Sequence, residues 1–155
     1  MALARLLGQV SVNERPAVIE VLRRCSMSEV GAVLSGHSPG KDIHRARGAA
    51  IAAEAMGNQR WVGTLRKYIR DPDAGVRACA IIALAKLASP SLLPQMSRLA
   101  SDSDAGVRAS AAWALGEAGR KLGTQGMVRG YISPLTGDGD AEVKKAAEEA
   151  LAALE

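Results

Sequence analysis

Asp71-Pro-Asp-Ala-Gly-Val-Arg-Ala-Cys-Ala-Ile-Ile-Ala-Leu84 returns with few changes as Asp102-Ser-Asp-Ala-Gly-Val-Arg-Ala-Ser-Ala-Ala-Trp-Ala-Leu115. Val76 and Val107 stand 31 residues apart. A third copy, Asp138-Gly-Asp-Ala-Glu-Val-Lys-Lys-Ala-Ala-Glu-Glu-Ala-Leu151, follows at a step of 36 from Val107 to Val143. The five extra residues are expected in the Gly-rich stretch Gly119-Arg-Lys-Leu-Gly-Thr-Gln-Gly126. One step back from Val76 lands on Arg45 in a degraded copy. There Asp42 matches Asp73, Asp104 and Asp140, Ala49 matches Ala80, Ala111 and Ala147, and Gly57 matches Gly119. A further step reaches Glu14, with Val18 and Leu22 in the apolar positions. Self-similarity at such a period marks units that bury their apolar faces only by stacking on their neighbours.

Each unit reads as a helix pair. Val107, Ala111, Ala114, Leu115 and Ala118 recur at i, i+4, i+7, i+8 and i+11, the stripe of an amphipathic helix. Asp71 suits an N-cap with Pro72 in the first helical position, and Gly57 and Gly119 suit a left-handed stop. The second helices keep the same register, because Val62, Leu65 and Tyr68 map by 31 onto Leu93, Met96 and Leu99. Ser11-x-x-Glu14 and Ser26-x-x-Glu29 read as capping boxes for the first pair. The pattern predicts helix pairs over roughly 11–35, 41–69, 73–100 and 104–136, with a lone helix from about 140.

The expected fold is all-α: a short right-handed α-solenoid of antiparallel helix pairs forming one domain over 1–155. Residues 1–39 form a degenerate N-terminal pair, 40–70, 71–101 and 102–137 the repeats, and 138–155 a capping helix. Lys144, Lys145, Glu148 and Glu149 give that last helix a polar face, as expected of a cap that closes a complete short protein.

Composition agrees. Hydrophobic residues make up 48% of the 155, yet aromatics are 3% and Phe is absent. The apolar content is therefore mostly aliphatic, and its Ala and Leu are the strongest apolar helix formers. Cys25 and Cys79, far apart, read as reduced small hydrophobes. His37 and His44 make no zinc-ligand spacing with them, so neither metal nor cofactor is expected. Neither a signal peptide nor an apolar run of about 18 residues is present, which fits a cytoplasmic protein.

The Asp-x-Asp-x-x-Val-Arg-x-x-Ala-x-x-Ala-Leu pattern resembles the short HEAT-like repeat of bilin-lyase-type proteins, over residues 40–155 and more weakly over 1–39. That architecture is shared by bilin lyases, adaptors and some DNA-repair glycosylases, so the resemblance does not choose a function. It implies that Arg77 and Arg108 pair with an Asp of the preceding turn, Asp73 and Asp104 being at hand, in a ladder between stacked repeats. Ala46 in the first copy and Lys144 in the last should weaken that ladder at both ends.

Charge separates the halves. Residues 1–70 carry 11 Lys/Arg against 5 Asp/Glu, and 71–155 carry 9 against 11. Asn58-Gln-Arg-Trp-Val-Gly-Thr-Leu-Arg-Lys-Tyr-Ile-Arg70 holds four cations and no acid. With second helices lining the concave face, Arg60, Trp61, Arg66, Lys67, Arg70 and Arg98 are the expected partner-binding residues, with Arg129 a further addition to the column. Such a patch suits an acidic partner. Trp61 and Trp113 read as half-core residues or groove anchors. No phosphate loop and no nucleophile–base pair is present. A non-catalytic protein-binding adaptor is the leading reading. A bilin-lyase-like accessory protein, or nucleic-acid binding with Trp61 and Tyr68 stacking on bases, are the alternatives.

Overall fold

The computed structural model describes Leu7 and residues 9–10, 14–23, 43–57, 59–88 and 90–155. Among them are eight α-helices, three short 3-10 segments and no strand. The chain is all-α, as its repeat pattern predicts. The helices are α1 (Arg15–Arg23), α2 (Ile43–Met56), α3 (Val62–Tyr68), α4 (Ala74–Leu87), α5 (Leu93–Leu99), α6 (Ala105–Leu122), α7 (Gln125–Ile132) and α8 (Ala141–Ala152). The capping boxes at Ser11 and Ser26, Asp42 and Cys25 lie outside the described residues.

Two compact units divide the chain, Met1–Ala83 and Leu84–Glu155, with the boundary inside α4. In the first, α1 and α3 pack on α2. The core of α2 is nearly all alanine: Ala46, Ala49, Ala50, Ala52 and Ala53 are buried. Side chains this small let neighbouring backbones approach closely. Larger residues, among them Leu65 and Tyr68 of α3, supply the volume around them. In the second unit α6 is central, packing against α5, α7 and α8. Its predicted stripe of Val107, Ala111, Ala114, Leu115 and Ala118 is the buried face. Leu93, Met96 and Leu99 of α5 and Val128 and Ile132 of α7 are buried around it.

The helix starts correct the cap assignment. Helix α4 begins at Ala74, so Pro72 lies outside it, and Asp73 rather than Asp71 caps it: the Val76 N–H donates to Asp73 Oδ1 at 2.8 Å. Asp104 accepts likewise from Val107 N–H at 3.0 Å, and Asp140 from Glu142 and Val143 N–H at 2.9 and 3.2 Å. The first Asp of each pair shapes the turn, its carboxylate accepting from the N–H of the second: Asp73 to Asp71 at 2.9 Å, Asp104 to Asp102 at 3.0 Å, Asp140 to Asp138 at 2.9 Å. Asp-x-Asp is therefore an Asx turn followed by an N-cap.

The stops also differ from expectation. Gly57 is left-handed, with φ +58°, as expected, but Gly119 lies inside α6 and is buried. That helix runs on to Leu122 and stops at Gly123, with φ +65°. Part of the insertion therefore lengthens α6, which has 18 residues against 14 in α4. Gly119 is glycine for space: a Cβ there would collide with Val128 Cγ2. Helix α4 ends at Leu87, and the next residue, Ala88, takes φ +41° where Gly57 and Gly123 stand in the neighbouring repeats.

Candidate functional site

The repeat motif serves the turn that contains it. Arg77 Nη1 donates to the carbonyls of Asp71 and Pro72 at 2.9 and 3.0 Å. Arg108 Nη1 donates to those of Asp102 and Ser103 at 2.9 and 3.2 Å. Arginine offers several N–H donors in a fixed fork, so one edge can clamp its own turn while the other reaches elsewhere. The other edge of Arg108 takes Asp138 of the following turn, Nε to Oδ2 at 2.7 Å and Nη2 to Oδ1 at 2.8 Å. Asp104, named from the sequence as a partner at hand, spends its carboxylate on its own helix start.

The hydrogen bond from Arg108, with that from the Asp140 N–H, holds the Asp138 carboxyl at about 2. The same contact raises the Arg108 pKa above its ordinary value. In the first unit Arg47 reaches Asp73, Nη2 to Oδ1 at 2.8 Å and Nε at 3.2 Å. Burial acts to raise the Asp73 pKa, but hydrogen bonds from Arg47 and from the Val76 N–H outweigh it and hold the group below its usual value. Arg47 thus supplies the arginine that stepping by 31 assigned to Ala46. A step of 30 aligns buried Ala46 with Val76 and Arg47 with Arg77.

The partner-binding candidates fall on both units. Arg66 and Lys67 are exposed in the last turn of α3, and Arg70 is exposed just beyond it. Lys67 and Arg70 have no carboxylate partner among the described residues. Cations here also suit the negative end of the α3 dipole. Trp61, the residue before α3, is half-buried. Arg60 lies in the 3-10 turn Gln59–Trp61, and its side chain is outside the described part. Tyr68 is 1% exposed, so its ring is not available for stacking on bases. Arg98 is exposed in the last turn of α5, in the second unit, and Arg129 of α7 is half-buried.

A second surface escaped the sequence reading. Glu117 of α6 accepts from Arg120 at 2.6 Å, and Lys121 and Lys86 lie at 3.3 and 3.4 Å. Partial burial works to raise the Glu117 pKa, but the Arg120 hydrogen bond, the Lys86 charge and Lys121 overcome it and bring the group down to about 2. Lys86 also sits 4.8 Å from the centroid of the Trp113 ring, a cation–π distance. Trp113 is 38% exposed. From it a cleft of about 330 Å³ runs between α6 and α8, with Gly116, Glu117 and Arg120 on one wall. Glu149, Ala150 and Ala153 form the other. The sequence did hold a signal: Lys86 and Glu117 are one period, 31 residues, apart, and opposite charges at equivalent positions of successive repeats are placed to meet.

The family model for HEAT repeats matches residues 37–116, just over half of the chain. The chain belongs to the HEAT-repeat family. The match begins before α2 and ends within α6, so it takes in the two sequence repeats that carry Arg47 and Arg77 and the start of the one that carries Arg108. No curated protein matches the chain. HEAT repeats are in general protein-interaction modules. Among the described residues of this HEAT-repeat chain, no helix is long and apolar enough to cross a membrane. Nor do three His, Cys, Asp or Glu side chains cluster there as metal ligands would.

Proposed function

We propose that this HEAT-repeat chain is a non-catalytic protein-binding adaptor that recognises an acidic surface through the cations at the end of α3. The observation that carries the reading is the exposure of Arg66, Lys67 and Arg70 on a segment with no acid between Asn58 and Arg70. Cations so placed raise the association rate with a negatively charged partner and make it sensitive to salt. Arg98, exposed one period after Lys67, belongs to the same class of residue.

The bilin-lyase likeness rests on the Asp-x-Asp-x-x-Val-Arg pattern. Those residues cap helices, shape turns and bind carbonyls, so the pattern gives no separate reason to expect a bilin. The test is affinity capture from native lysate with the wild type and with Lys67→Glu/Arg70→Glu, helicity being checked by circular dichroism. A defined set of proteins, released by salt and lost with the double variant, is expected. Recovery of nucleic acid alone, or equal capture by a folded double variant, would overturn the reading.

A further inference from the structure

The cleft between α6 and α8 lies in the second unit, away from the α3 cations in sequence, and the repeat motif does not account for it. Its walls are small and apolar at Gly116, Ala150 and Ala153. One end is an exposed indole, which Lys86 holds against one face. Tryptophan and arginine are the residue types most enriched where protein contacts concentrate their energy. Here Trp113 and Arg120 stand two helical turns apart on the same wall.

The electrostatics select the occupant. Lys86, Arg120 and Lys121 all converge on the single carboxylate of Glu117. Three cations meet one carboxylate, so the cluster carries surplus positive charge, although Lys121 also donates to the Lys86 carbonyl at 3.2 Å and Lys86 lies over the Trp113 ring. Arg120 is the most open of the three, with 59% of its side chain exposed. Across the cleft Glu149 forms no ion pair among the described residues, so it repels an acid on its own side and leaves the Arg120 side as the favourable one. Shape and charge together fit one ligand chemistry: an aliphatic side chain against the indole and the alanines of the α8 wall, with a carboxylate nearby to meet Arg120.

We infer that the Trp113 cleft is a docking site for a linear peptide segment of a partner protein, in which an aliphatic residue is followed by Asp or Glu. This rests on the reading of the chain as a protein-binding module, but it uses a different surface.

The test is selection from a displayed random dodecapeptide library on the full chain, with enriched peptides then titrated by calorimetry. Enrichment of Leu, Ile or Met paired with Asp or Glu is expected. Trp113→Ala and Arg120→Glu should each weaken such peptides about tenfold or more, the loss of one contact residue of that class. Ala153→Glu adds a repelling charge at an exposed position without touching the indole. It should weaken them similarly, and it serves where Trp113→Ala fails to fold. No enrichment, enrichment without acids, or binding indifferent to both Trp113→Ala and Ala153→Glu would overturn the inference. If lysate capture is lost with the α3 variant while peptides fail at the cleft, only the cleft assignment falls.

Discussion

Gly119→Ala is the sharpest test of how α6 and α7 are packed. Inside a helix, Gly→Ala ordinarily stabilises by about 1 kcal/mol, because Ala loses less backbone freedom on folding. At Gly119 the added Cβ would collide with Val128 Cγ2 and lie 3.2 and 3.3 Å from Cγ1 and Cβ. Val128 is wholly buried, and its β-branched side chain has one strongly preferred rotamer in a helix, so it cannot simply swing aside. Overpacking of this kind costs about 1–3 kcal/mol. For a collision this close the upper part of that range, about 2–3 kcal/mol, applies, and subtracting the propensity gain leaves a net loss of about 1–2 kcal/mol.

Gly130, in α7, is the internal reference, since a Cβ there meets nothing within 4 Å. Gly130→Ala should stabilise by about 0.5–1 kcal/mol. The same chemical change should thus have opposite signs 11 residues apart. Urea melts of each variant, followed by far-UV circular dichroism and by indole fluorescence, read the difference. Both probes are followed because stacked repeats need not unfold in one step. Adding Val128→Ala to Gly119→Ala should destabilise less than the two single changes together, since it removes the obstructing methyl. If Gly119→Ala is as stable as wild type or more so, the close approach of α6 to Val128 is refuted.

Ala88→Gly should stabilise by about 0.5–1 kcal/mol in the same melts, because Ala88 holds a left-handed φ of +41° that an L-residue adopts only with strain. Asp104→Ala should destabilise by about 1 kcal/mol through loss of the N-cap to Val107, whereas Asp104→Asn should nearly preserve it. Glu117 and Asp138 both titrate at about 2 when folded, against ordinary values of 4.5 and 3.8. Their folded pKa values are depressed, so the stability they add is fully present above the ordinary values and is lost as pH falls towards 2. The urea midpoint should decline across that window, and Glu117→Gln should flatten part of the decline.

Much of the fold was legible because stacking forces each unit to repeat the same solution. Val76, Val107 and Val143 are each 0% exposed, and a position that must be apolar in every copy announces itself. The errors came where a local device can slide by one or two residues without disturbing that stripe. Asp71 and Asp73 are both plausible caps from sequence alone, and only hydrogen-bond geometry separates the Asx-turn residue from the cap. A helix can also absorb inserted residues by continuing, as α6 does to Gly123, so the first glycine of a Gly-rich stretch need not stop it. In the degraded first copy the alanine-rich α2 offers several equivalent registers. Only the Arg47–Asp73 ion pair fixes which one aligns the arginines.

The candidate surfaces were legible to different degrees for a physical reason. The α3 cations are visible in sequence because they are consecutive or one turn apart and lack acids, so local composition alone reveals them. The Trp113 cleft is assembled from α6 and α8, and one member of its charge cluster, Lys86, comes from the end of α4. Nothing local marks Glu117, which stands three and four residues before Arg120 and Lys121 in the sequence, an ordinary helical charge spacing. What distinguishes it is the incoming Lys86, and only the repeat period relates those two positions. In a repeat protein, therefore, comparing equivalent positions for complementary charge finds contacts that a scan along the chain misses. Asp102 and Asp138, equivalent by the 36-residue step, show the limit: the insertion within α6 and the loop after it changes the spacing, so the Arg108–Asp138 pair spans 30 residues instead.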